Sequence, residues 1–444
     1  PPADRGDAVT LARHDGPRGG RSARVVRNDA RIERAAVEVL ASEGWGGTSF
    51  NAVARRAGLS KRPLRDRFAH RGELVARVWS VHLAPYLLER LEAVLAAAPT
   101  VGGAVSPTAP REAGDALADA LAALTPRRRD ADPAATATLD AALEALLVAP
   151  FDDDVRRAVD ADLGAALRAW TCPYPSDDAC PQAAVAAATG RAYLLAIALG
   201  LALFARTHPE PAVDLRSEAA GLVRALAQAG PARGWTGENA ADAVPPDAAW
   251  LRWPPLDSGD DDLDELLYAT LDLVSEAGFD GAPTDAICRR AHVSEGFLFG
   301  RYDTKLELFV DATRHLQRRV LADVEVRLRD YRERYGDATG RAITLRDATR
   351  PGGTRARALA LELHRVAWHA PDLRAVLQGE REALFASTRD AYGEVSDAVA
   401  RASFHAGTAL GTGVVVLALF APSVHALPWN VVTDPHVETC GGRL

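Results

Sequence analysis

The feature that most constrains this chain is a repeat. The stretch from Arg31 to Leu74, RIERAAVEVLASEGWGGTSFNAVARRAGLSKRPLRDRFAHRGEL, recurs without a gap at a shift of 234 residues, over Leu266 to Leu308. Ala35 matches Ala269, Gly44 matches Gly278, Arg55-Arg56-Ala57 matches Arg289-Arg290-Ala291, and Glu73-Leu74 matches Glu307-Leu308. Self-similarity of this kind is the mark of a duplicated structural unit. A chain of 444 residues is too long for one core. Two like units in tandem is therefore the expected organisation.

Each copy reads locally as three short helices. In the first, Ile32, Ala35, Ala36, Val39 and Leu40 fall on one helical face. Gly44 follows, where a helix end favours a residue that tolerates left-handed backbone. Thr48 or Ser49 caps a second helix from Phe50 to Arg56. Ala57-Gly58-Leu59 makes a tight turn and Ser60 caps a third helix, with Pro63 in its first turn, where no amide hydrogen is needed. Helix, short turn, helix is the outline of a helix-turn-helix, whose second helix enters a DNA major groove.

Taken together, Ile32, Ala35-Ala36, Gly44-Trp45, Thr48-Ser49, Val53-Ala54, Ala57-Gly58-Leu59-Ser60, Phe68, Arg71 and Glu73-Leu74 resemble the DNA-binding domain of the tetracycline-repressor (TetR) family. The second copy resembles it independently through Gly296, Phe299 and Tyr302-Asp303-Thr304-Lys305. Arg62-Pro63 and Arg65 depart from the family pattern in the first copy, and His292 and Pro283 in the second. The resemblance implies an all-α chain of two tandem TetR-like units. Each unit would be a three-helix DNA-binding domain followed by a helical effector-binding and dimerisation domain. The expected divisions are a basic arm at 1–22, a first head at 23–74, a first body at 75–230, a linker at 231–260, a second head at 261–308 and a second body at 309–444.

Charge separates the two heads. From Ala23 to Leu74 eleven bases face six acids, a net of +5. From Asp257 to Leu308 four bases face thirteen acids, a net of −9. Affinity for DNA comes largely from neutralising phosphates, so the heads are not expected to be equivalent in a chain whose net charge is −8. In the first head, the resemblance points to Thr48, Ser49, Arg56, Ser60, Lys61, Arg62, Leu64, Arg65, Arg67, His70 and Arg71 as DNA-contacting. Ser60 to Arg67 would lie in the groove, with Thr48 and Arg71 on phosphates. In the second head, Arg289, Arg290, Ser294, Phe299, Arg301 and Lys305 hold the matching positions, in a weak or structural role.

The bodies read as helices. A long helix is expected over 72–96, kinked or broken at Pro85. Helical windows follow at 111–124, 133–149, 152–170 and about 213–229, and the most apolar runs from Gln182 to Arg206. In the second body, windows at 305–333, 354–369, 371–390 and 393–420 repeat the plan. Late apolar helices of this family pack across a twofold axis, which implies an intramolecular pseudo-dimer here, or else a homodimer of whole chains. A small apolar effector is the expected ligand. Trp79, Tyr86, Trp170 and Tyr193 are candidate pocket residues in the first body, and His364, Trp368, Phe404 and His405 in the second.

No Walker loop, GxSxG elbow, HExxH or CxxC pair occurs. No catalytic residue, cofactor or metal site is therefore expected. No run of eighteen uncharged apolar residues is apparent, so no membrane span is expected, and the cytosol is the expected compartment. The alternative reading is a ligand-binding or protein-interaction module of the same fold that has lost DNA recognition in one or both heads.

Overall fold

A computed structural model describes residues 23–99, 109–125, 132–172, 182–208, 214–229, 253, 255–389 and 395–433. The arm at 1–22 and most of the 231–260 linker lie outside the described residues. Among the described residues there are helices and no strands. The first head comprises α1 (Ala23–Gly47), α2 (Phe50–Ala57) and α3 (Arg62–Arg65). The first body holds α4 (Arg71–Val78), α5 (Ala84–Ala97), α6 (Ala109–Ala122), α7 (Pro133–Val148), α8 (Asp153–Val159), α9 (Ala165–Thr171), α10 (Gln182–Thr207) and α11 (Leu215–Gln228). The second head is α12 (Asp261–Gly281), α13 (Thr284–Arg290) and α14 (Glu295–Phe299). The second body is α15 (Lys305–Tyr335), α16 (Asp337–Ala348), α17 (Thr354–His369), α18 (Pro371–Thr388) and α19 (Asp397–Phe420).

The apolar stripe expected in α1 forms the core of the first head. Ile32, Ala35, Ala36, Val39 and Leu40 are buried with Val53, Ala54, Leu64 and Leu74. A fully buried Leu or Ile is worth about 1.5–3 kcal/mol. Gly44 and Gly278 break the two first helices at the same place, with φ of 66° and 73°. Pro85 does not interrupt its helix as expected. The turn before it, Trp79–Leu83, widens to a π-helical turn and the chain runs on into α5. A proline there has no amide hydrogen and its ring crowds the carbonyl four residues back, and the wider turn relieves both.

The two halves meet along α10 and α19. One apolar core takes in the first half together with Ala342, Leu361, Ala409, Leu410, Val414 and Leu417 of the second. The helices cross at almost bare backbone. A Cβ on Gly200 would lie 1.7 Å from the Ala409 carbonyl oxygen, and one on Gly413 would lie 1.7 Å from that of Ala196. The contact is reciprocal, with Ala-x-x-x-Gly of one helix against Ala-x-x-x-Gly of the other. Each half also caps its neighbour. Arg168 donates to the Phe420 carbonyl at the end of α19 (2.9 Å), and Gln378 donates to the Thr207 carbonyl at the end of α10 (2.8 Å). Those carbonyls have no partner inside their own helices.

Two helices bear on the membrane expectation. Ala183–Thr207 and Asp397–Phe420 are long and apolar enough, by length and composition, to cross a membrane. Scattered Thr, Ser, His and Arg residues disguise this in a search for unbroken apolar runs. Of their most apolar windows, 89% and 67% are buried within the protein, largely against each other.

Candidate nucleic-acid interface

The first head presents a cluster of cations to solvent. Ser60, Lys61, Arg62 and Arg65 are exposed around α3, with Arg55 exposed on α2 beside them. Arg55, Lys61 and Arg65 have no carboxylate within ion-pair distance among the described residues. Arg62 has only Asp66 at 3.7 Å, with both side chains mostly in water. Such a pair contributes little.

The remaining residues assigned to DNA contact each have a partner or a core position within the protein. Thr48 is fully buried and its hydroxyl donates to the Gly44 carbonyl (2.7 Å). Leu64 is fully buried in the core. Neither reaches the surface, because closing a three-helix unit this small requires both inside. Ser49 caps α2, accepting from the Ala52 amide (3.2 Å). Arg56 pairs with Glu38 (3.3 Å) and Glu43 (3.7 Å), Arg67 with Asp29 (2.5 Å), and His70 with Asp154 (3.1 Å).

Arg71 lies over the Trp45 ring, 4.2 Å from its centre, and donates to the Trp45 carbonyl (3.1 Å). Burial lowers its pKa, partly offset by Asp280 and Asp152. Lys305 repeats the arrangement in the second head, 4.3 Å from the Phe279 ring centre and 2.6 Å from the Phe279 carbonyl. Both cations fasten the end of a first helix to the body below.

In the second head every base has a protein partner. Arg289 pairs with Asp285 (3.1 Å), Arg290 with Glu276 (2.9 Å) and Arg301 with Asp260 (2.9 Å). Ser294 caps α14, accepting from the Phe297 amide (3.1 Å). Glu295 replaces Lys61, and Phe299, exposed at the position of Arg65, replaces a cation with an apolar ring. His292 takes the left-handed backbone (φ 56°) that Gly58 adopts in the first head (φ 61°).

A buried ion cluster joins the heads beneath this surface. Glu144 of α7 accepts from the Trp45 amide (2.7 Å), and Glu362 of α17 accepts from the Phe279 amide (2.5 Å). Arg365 binds both Glu362 oxygens (2.7 Å each), Asp280 (2.8 Å) and Glu144 across the halves (3.3 Å). His369 also reaches Glu144 (3.3 Å). Burial alone would lower the Arg365 pKa, but Glu362, Glu144 and Asp280 hold it well above its ordinary value. Sequence reading missed Glu144 and Arg365, which lie far from either motif and carry no local pattern.

Of the candidate pocket residues, only His364 and Phe404 come together, in the wall of a cavity of about 210 Å³. Trp368 and His405 are buried beside it without lining it. Trp79 and Tyr193 are core, Tyr86 holds Arg90 over its ring, and Trp170 accepts from Arg191 through its carbonyl. None of these four lines that cavity.

Two helix-turn-helix heads, each on a helical body and one with a solvated basic face, define a protein of two tandem helix-turn-helix units. Residues 32–78 and 266–312 each match the family profile described as bacterial regulatory proteins, tetR family. Both heads therefore belong to the tetR family, and the chain is a DNA-binding regulator of that type built from two tandem units. No curated protein matches the chain.

Proposed function

We propose that the chain is a ligand-responsive transcriptional repressor that engages DNA mainly through its first head, in the cytosol. The observation that carries this is the difference in charge pairing between the heads. Among the described residues, Arg55, Lys61 and Arg65 have no carboxylate within ion-pair distance, while Arg290 and Arg301 each pair with an acid at 2.9 Å with both side chains more than half buried. A base already paired inside the protein releases no counterions from a phosphate without first breaking that pair. Ser60, Lys61, Arg62 and Arg65 are the groove-facing set in this reading, and Arg55 stands on the backbone. The second head acts as a structural counterpart.

The halves act as an intramolecular pseudo-dimer. The reciprocal Gly200 and Gly413 contacts and the mutual helix caps support this, since the apolar faces of α10 and α19 are already used within one chain. A small effector bound in a body would shift the relative position of the heads and so the affinity for DNA.

The test is DNA binding to the upstream region of the chain's own gene, measured across a salt series. Lys61→Ala/Arg62→Ala/Arg65→Ala is expected to weaken binding and relax its sequence preference, and Arg55→Ala to lower the salt slope by about 1. Arg289→Ala/Arg290→Ala is expected to leave binding and salt slope nearly unchanged. Equal losses from the two sets would refute the unequal-heads reading.

A further inference from the structure

The cavity in the second body holds a buried cation. It is lined by α15, α17, α18 and α19, and Arg381 of α18 forms part of its wall. No carboxylate lies within ion-pair distance of Arg381 among the described residues. Its guanidinium instead meets two imidazoles, Nη1 with His208 Nε2 at 3.0 Å and Nη2 with His364 Nε2 at 3.3 Å.

The contacts of His364 fix the state of its ring. His364 Nδ1 lies 2.9 Å from the Ala360 carbonyl oxygen, so its proton is on Nδ1 and its Nε2 lone pair accepts from Arg381. Such a ring is neutral. Burial and the nearby Arg381 push His364 down to about 4, and burial, Arg381 and His405 push His208 down to about 3. The histidines therefore solvate the guanidinium without neutralising it. A buried cation in this condition is electrostatically incomplete. Among the described residues, no three His, Cys, Asp or Glu side chains converge to hold a metal ion.

The rest of the cavity is chiefly apolar, with Leu363, Leu377, Leu384 and Phe404 in its wall. Glu380 also faces it, and its charge is met by Arg318 at 3.4 Å. A cavity of about 150 Å³ holds a benzene ring, so about 210 Å³ admits a ring with a short side chain or a short aliphatic chain.

We propose that this cavity binds a small amphipathic carboxylate, its anion paired with Arg381 and its apolar body against Leu363, Leu377, Leu384 and Phe404. The inference rests on the effector reading given above and changes the expected effector from apolar to anionic. It also supplies a route to the rest of the molecule. Arg381 holds His208, the residue after α10, and His208 stacks on Phe204 of α10 (ring centres 3.8 Å apart). An anion that draws Arg381 towards the cavity loosens its hold on the helix that crosses α19.

Calorimetry on the full chain with 3-phenylpropanoate and with its neutral counterpart 3-phenylpropan-1-ol tests this. Wild type is expected to bind the acid at least tenfold more tightly than the alcohol at pH 7. Arg381→Leu is expected to lose that preference. Ala360→Phe, which fills the cavity and leaves Arg381 in place, is expected to lose acid binding, and it keeps the test decisive if Arg381→Leu does not fold. Equal affinity for acid and alcohol, no binding of the acid, or an unchanged preference in Arg381→Leu overturns the proposal. DNA binding without acid, measured in parallel, separates the two readings. Acid binding with no DNA binding sinks the regulator and leaves the site standing, and DNA binding with no acid binding does the reverse.

Discussion

Two side chains sit in states that their chemistry opposes. His292 occupies left-handed backbone at φ 56°, where the first head has Gly58. Left-handed backbone costs a residue with a Cβ about 1–2 kcal/mol. His292→Gly is expected to recover about 1 kcal/mol, because the added freedom of glycine in the unfolded chain offsets part of the gain. Urea denaturation measures this, and a loss of stability would show that the imidazole earns its place. Glu218 is a carboxyl in the core, and burial pushes its pKa up to about 7 from an ordinary 4.5. Its folded pKa is raised, so the folded state holds the proton more tightly. That contribution is complete below pH 4.5 and is lost as the pH rises through 7. Glu218→Gln is expected to gain on wild type by about 3 kcal/mol between pH 4 and pH 8. The comparison is made as a difference between variants because His208 and His364 act in the opposite sense. Each is held neutral, so their contribution is lost as the pH falls below 6.5. A constant difference between Glu218→Gln and wild type across this range would remove the argument.

Elements differ in how far their roles can be read from the chain. The helices of both heads are marked by local signals. The α1 stripe is buried as its spacing requires, Ser49 and Ser294 cap the helices they precede, and Gly44 and Gly278 turn where turns are needed, whereas Ser60 does not cap α3, whose N-cap position is Lys61 with no side-chain hydrogen bond. Contacts formed by distant segments leave no such mark. The sequence shows the charge of Arg71 but not its contact with Trp45, and Arg381 meets His208 from 173 residues away. The crossing of α10 and α19 is an intermediate case. Its signal, Ala196-x-x-x-Gly200 and Ala409-x-x-x-Gly413, is present in the sequence but is easily lost among so many alanines. The crossing makes a sharp prediction. A side chain at position 200 has no space, since its Cβ would lie 1.7 Å from a backbone oxygen of the other helix. Gly200→Val must push the helices apart and is expected to cost about 3 kcal/mol or more. Gly411→Ala, with nothing within 4 Å of the added methyl, is expected to be neutral or slightly stabilising. Similar thermal midpoints for the two variants would mean that α10 and α19 do not cross at this point.

At the scale of the whole molecule, the ion cluster links what the two halves do. Each head's first helix ends on a buried glutamate of its own body, and Arg365 touches both glutamates and Asp280 as well. Glu144 and Glu362 are wholly buried, so neither can be left uncompensated cheaply. Removing one partner of a buried pair typically costs about 3–5 kcal/mol, mostly because the other charge is stranded. Arg365→Met is expected to fall in that range by urea denaturation. Glu144→Gln keeps an acceptor for the Trp45 amide and removes one of the stranded charges. In the Arg365→Met background it is therefore expected to restore about 1–3 kcal/mol, although alone it should destabilise. A non-additive cycle of that sign would establish that the two heads share one electrostatic anchor across the halves. Simple additivity would mean that each glutamate serves its own head independently, and a ligand or DNA bound to one half would then have no route to the other through Arg365.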